Sequence, residues 1–246
     1  MSSTNQPPQG DKLAQTLAGD YTFSVRQILL RANNITKEHY RTLLAGCGVI
    51  VLISAVLVAL LVSRFSIEEL KQLSQSHQAI IDVIVIFLMA PITTGLTLQA
   101  SALAAQQPTA FNHLFAYLPQ VLPLALAQLF ISILVQLGLY FLIIPGLYVF
   151  MASIFTLPLV AQNKLPISGA LLLSCKVVNR YIAGFIGLFG VFVLLFLLCL
   201  FTLGLALLWV MPLYYATVGL LFNDLFGSGP VEISSNTNNK ESTFDA

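Results

Sequence analysis

Residues 181–223 read YIAGFIGLFGVFVLLFLLCLFTLGLALLWVMPLYYATVGLLFN, 43 positions without an Asp, Glu, Lys, Arg or His. A bilayer crossing takes about 20 consecutive apolar residues, and inside lipid each backbone amide must find its partner within its own helix. The stretch is twice one crossing, so it reads as two helices divided near Thr202, Leu203 and Gly204. The rest of the chain repeats the message. Of 246 residues, 57% are hydrophobic and 9% charged, with a mean hydropathy of +0.87, whereas soluble domains carry about 25% charged residues. No Lys or Arg occurs at 72–163, where Asp82 is the one charged residue.

Working outward from that stretch, residues 42–63 form a first uncharged span flanked by Arg41 and Arg64, whose stems can snorkel. A second runs over 79–104, with Asp82 near its start and Pro91 within it. Pro119 opens a third, to about 143. The sequence Ile144-Pro145-Gly146 is too short for a soluble loop, so the chain is expected to reverse there into a fourth span over 147–162. Spans five and six come from 181–223. Before each pair lies an amphipathic segment: 21–40, with Val25, Ile28, Leu29, Ala32 and Ile35 at helical spacing; 109–117, with Phe111, Leu114 and Phe115; and 166–180, with Ile167, Ala170, Leu171, Ser174 and Val178. The expected fold is all-α, a polytopic transmembrane bundle of six spans arranged as three hairpins, each preceded by a cytoplasmic surface helix. Residues 1–20 and 227–246 are rich in Ser, Thr, Asn, Gln, Pro and Gly and are expected to be disordered tails around a 21–226 membrane domain.

Orientation follows the excess of Lys and Arg on the cytoplasmic side. Lys12, Arg26, Arg31, Lys37, Arg41, Lys164, Lys176, Arg180 and Lys240 fall on one side, and Arg64 and Lys71 on the other, sharing their loop with Glu68 and Glu69. Both termini are therefore expected in the cytoplasm. The polar, Pro-containing start lacks the basic-then-apolar order of a cleaved signal, so the first span is expected to act as its own insertion signal. A net charge of +1 gives no bulk attraction to nucleic acid.

Two polar rows stand out inside the spans. Thr93, Thr97 and Ser101 recur every fourth residue on the second, and Gln128, Ser132 and Gln136 on the third, so each row lies on one helix face. Facing rows suit interhelical hydrogen bonds, worth about 0.6 kcal/mol each, or a polar solute path. Asp82 is the acidic residue within a span, close to its end, and reads either as a hydrated interface residue or as a functional carboxylate. Arg26, Arg31, Lys37 and Arg41 on the first surface helix act as an anchor or receive anionic lipid head groups. His39, His77 and His113 stand apart, Cys47, Cys175 and Cys199 form no CxxC pair, and no HExxH, GxSxG or Walker A motif occurs. No catalytic constellation, metal site or cofactor is expected.

At Pro145 and Gly146, Pro158, Ala170 and Ser174 the chain resembles the YciC-like family of bacterial inner-membrane proteins, which is related to the membrane domain fused to some glycerophosphodiester phosphodiesterases. The resemblance is clearest over residues 130–200. It implies the fold and names no reaction. The expected role is non-enzymatic, a structural or interaction component in envelope organisation or lipid handling, with membrane lipids, anionic phospholipid among them, as partners. The alternative is a small-solute transporter or channel using the polar faces of spans two and three.

Overall fold

A computed structural model describes residues 9–64, 74–107, 109–163 and 165–227. Among them the regular elements are helices, with no strand: α1 Gln9–Ala18, α2 Val25–Glu38, α3 Tyr40–Arg64, α4 Gln75–Ala104, α5 Val121–Phe141, α6 Ile143–Ala152, α7 Thr156–Asn163, α8 Ile167–Arg180, α9 Ile182–Phe201 and α10 Leu207–Phe226. Two short 3-10 turns, Phe111–Phe115 and Leu118–Gln120, link α4 to α5. The segments Tyr40–Arg64, Ser76–Ala104, Phe111–Phe141, Ile143–Gln162 and Ile182–Phe201 are long and apolar enough to cross a membrane. Their outer faces expose Leu52, Phe141, Leu194 and many similar side chains. In water such a surface would far exceed the apolar patches soluble proteins tolerate. The architecture is that of a multi-pass membrane protein.

The sixth long helix, α10, differs in kind. Pro212, Tyr214, Tyr215, Thr217, Asn223 and Asp224 dilute its apolar character, yet it is the most enclosed helix, with residues 216–223 buried without a break. Protein surrounds it, so it need not match lipid on every face. Its widest partner is α4, whose residues 94–101 are likewise all buried. The two backbones meet at Gly219, where an added Cβ would lie 2.5 Å from the Ser101 nitrogen and 2.7 Å from the Ala100 carbonyl carbon.

Several expectations are corrected. Residues 9–18, expected to be disordered, form α1. A ten-residue helix is not stable alone, but this one docks on α8 and α10. Thr16 is buried and donates from Oγ1 to the Leu225 carbonyl at 2.9 Å, satisfying an orphan acceptor at the end of α10. Arg180 Nη2 donates to the Ala18 carbonyl at 2.6 Å, a cation at the C-terminal end of α1. The second correction concerns α2, expected to lie on the membrane surface. Its apolar stripe instead packs on protein: Ile28 and Ala32 are buried and Val25, Leu29 and Ile35 lean on the same core. It packs along α10, with Arg31 in contact with Asp224, and just beyond it Tyr40, the first residue of α3, stacks its ring on Trp209 with centroids 5.5 Å apart.

Third, the reversal after α5 comes at Leu142, a single extended residue (φ −160°, ψ 148°), and not at 144–146. Pro145 sits in the first turn of α6, where its missing N–H costs nothing. The hairpin closes because Gly138 and Gly146 meet without side chains; a Cβ on Gly138 would be 2.8 Å from the Gly146 Cα. Fourth, the expected fourth span is broken into α6 and α7 at residues 153–155. The surface helix expected over 109–117 is only the 3-10 turn Phe111–Phe115, and the second long helix begins four residues early, at Gln75, while the break after Phe201 falls where expected. The loop residues Glu68, Glu69 and Lys71, Lys164 and the tail from 228 lie outside the described residues.

Candidate functional site

Two adjoining spaces lie in the bundle. The larger, about 720 Å³, lies between α6, α9 and α10. It arises because α9 touches α10 only sparingly, with Phe155, Phe185, Leu188 and Phe192 forming a buried wall. Val193, Leu197 and Leu200 line it too and are themselves exposed, so the cavity opens at the lipid-facing side of α9. The volume falls within the roughly 300–1,000 Å³ of ordinary ligand sites. Its lining is almost wholly hydrocarbon.

The smaller space, about 290 Å³, lies between α4, α5, α6, α7 and α10. Thr93, Thr97, Gln128, Ser153, Tyr214 and Tyr215 supply polar groups to its wall. Phe150, Ile154, Tyr214 and Val218 border both spaces, so they are neighbours through a shared partition. Tyr214 is held in place there, edge-on to Phe192 with ring centroids 5.3 Å apart and to Tyr215 at 5.4 Å. The hydroxyl hydrogens of the α4 threonines are spent on the helix itself: Thr93 donates to the Met89 carbonyl at 2.9 Å and Thr97 to that of Thr93 at 2.9 Å. Ser153 donates to the Phe150 carbonyl at 3.0 Å. Among the described residues, Tyr214, Tyr215 and Gln128 have no hydrogen-bond partner, and their polar atoms are not among those sealed from solvent.

The polar rows expected from sequence are therefore half assembled. Thr93, Thr97 and Gln128 come together on one cavity. Ser101 lies further along α4, in a separate polar space of about 260 Å³ with Gln99, His113 and Gln162, and its Oγ is buried without a partner. Gln136 is exposed and Ser132 half-buried, and neither lines these spaces. Asp82 is exposed on the second turn of α4. Tyr214, Tyr215 and Ser153 were not anticipated; the adjacent tyrosines inside the uncharged stretch were the available signal.

The basic set divides. Arg26, Lys37 and Arg41 are exposed. Arg31 instead reaches Asp224 with both nitrogens, at 2.7 and 3.2 Å, and Tyr21 donates to the same carboxylate at 3.0 Å. Burial, with the Asp224 charge beside it, raises the Tyr21 hydroxyl well above the ordinary phenol range. The sign is fixed by linkage: a group held protonated by the fold stabilises fully below its unfolded value, about 10, and loses that contribution as pH climbs toward the folded one. Alkaline melting curves should show it. Wild-type protein is expected to lose stability faster above about pH 10 than Tyr21→Phe, and parallel curves for the two would contradict the assignment.

The motif residues of α8 face the broken span. Ser174 is fully buried; its Oγ donates to the Ala152 carbonyl at 2.6 Å and accepts from the Phe155 amide at 3.3 Å. One hydroxyl thus satisfies two of the backbone groups freed by the break. Ala170, one turn earlier and also fully buried, keeps α8 close. Pro158 lies in the first turn of α7, where the missing amide is again harmless. Among the described residues no cluster of His, Cys, Asp or Glu could hold a metal ion. No known family model, curated protein or solved structure matches the chain.

Proposed function

We propose that the chain is a six-span protein of the bacterial inner membrane that handles lipid, holding a lipid chain between α6, α9 and α10. The observation that carries this reading is the apolar cavity of about 720 Å³ opening beside exposed residues of α9. The even span count is supported by contacts of residues 16, 21 and 31, which precede the first span, with residues 224 and 225 at the end of α10. Flanks that meet in this way are what an even number of crossings gives, with α10 read as the sixth span. The exposed cations Arg26, Lys37 and Arg41 support a cytoplasmic placement of that side and are available to anionic head groups. The YciC-like relationship belongs to the same proposal. The transporter alternative is weakened by the positions of Ser132 and Gln136, which leave no continuous polar row along α5.

The test is lipid retention. Wild-type protein extracted in mild detergent should keep bound lipid through repeated detergent exchange, measured by mass spectrometry of the intact protein. Val193→Trp and Met151→Trp each place an indole in the cavity and should reduce the retained lipid severalfold. Equal retention by all three proteins would remove the lipid-handling reading.

A further inference from the structure

Resting on that reading, we infer that the two adjoining spaces form one site for a neutral long-chain lipid carrying a free hydroxyl, with the chain in the apolar cavity and the hydroxyl in the polar one. Three observations lead there. The spaces share Phe150, Ile154, Tyr214 and Val218, and together they have the two-part character of an amphiphile. A bilayer acyl chain alone would account for the first space and leave the second unexplained.

The second observation is the absence of charge. Neither lining contains a carboxylate, amine, guanidinium or imidazole. An ionised head group there would sit at low dielectric without a counter-charge, at a cost of several kcal/mol, whereas an uncharged one needs only hydrogen-bond partners. Phosphate-bearing and carboxylate-bearing lipids are therefore disfavoured in this position.

The third observation selects a hydroxyl over a carbonyl. Thr93, Thr97 and Ser153 have committed their hydrogens to backbone carbonyls, so they can offer a ligand only oxygen lone pairs. An occupant must donate to satisfy them. Among the described residues the tyrosine hydroxyls and the Gln128 carboxamide have no protein partner, and they can supply a donor in return. A lipid alcohol both donates and accepts, and so uses both kinds of group. An ester or ketone can use only the second.

The experiment uses the full chain in nanodiscs of zwitterionic lipid and two photoreactive probes, hexadecanol and hexadecane, each with a mid-chain diazirine. Hexadecanol is expected to label α9 and α10 peptides near Phe192 and Tyr214, and unlabelled hexadecanol should compete far better than methyl hexadecanoate or hexadecanoate. Combining Tyr214→Phe with Gln128→Leu should lower hexadecanol labelling about fivefold, the effect of one net hydrogen bond, while hexadecane labelling stays as in the wild type. Val193→Trp should remove both signals. If hexadecanol and hexadecane label equally and neither responds to the polar substitutions, the hydroxyl inference is overturned and the chain-binding reading survives. Preference for hexadecanoate overturns the inference as well. If Val193→Trp and Met151→Trp both leave all labelling intact, the lipid-handling reading falls with it.

Discussion

Gly219→Leu should abolish folding, yielding protein that inserts but aggregates on extraction, because no side chain fits where α10 meets α4. The clash is with backbone, the Ser101 nitrogen and the Ala100 carbonyl carbon, and backbone inside two helices cannot turn aside as a side chain can. The helices would have to separate along one of the widest interfaces among the described residues. Gly219→Ala samples the same contact with one carbon and should cost about 1–3 kcal/mol, the usual penalty of overpacking. Gly190→Ala on α9 is the control. Nothing lies within 4 Å of its added Cβ, so it should be neutral or slightly stabilising through helix propensity. Size-exclusion profiles and melting temperatures in one detergent would decide, and a well-folded Gly219→Leu would contradict the close approach.

The second large effect is expected at Ser174. Valine there keeps much of the volume but removes the hydroxyl, leaving the Ala152 carbonyl and the Phe155 amide buried without partners. Each orphaned group costs about 1–3 kcal/mol, so Ser174→Val should lose roughly 2–5 kcal/mol on the same estimate. Ser174→Thr retains the hydroxyl and should lie between valine and wild type. Thermal unfolding of the three proteins tests the order. A valine variant as stable as wild type would show that the break between α6 and α7 does not depend on this bond.

How far these features were legible depended on whether the relevant partner was lipid or protein. Spans bounded by charge were readable, because lipid demands unbroken apolar helix over 42–63 and 181–201 whatever the tertiary structure. The division near Thr202 was readable for the same reason: 43 residues exceed one crossing. Features set by protein partners were not. The stripe of Ile28 and Ala32 has the same period whether it meets lipid or α10, so the helix was readable and its location was not. Proline was ambiguous in a related way, since Pro145 and Pro158 fit a turn or a first helical turn equally well. For the site, Thr93, Thr97 and Gln128 announced themselves as polar residues in apolar surroundings. The cavity wall did not, because Phe192 and Leu188 look like lipid-facing residues until the gap beside α9 is seen.

The Arg31 and Asp224 pair also imposes an order in time. The two residues are 193 positions apart, and at synthesis rates of about 5–20 residues per second the carboxylate emerges roughly 10–40 s after the guanidinium. Throughout that interval α2 lacks its final neighbour. Until then Arg31, like the exposed Arg26, Lys37 and Arg41, has no carboxylate of α10 to hold. Arrival of Asp224 pairs one of them. The same arginine thus closes, late in synthesis, the contact that fastens α2 to the end of α10.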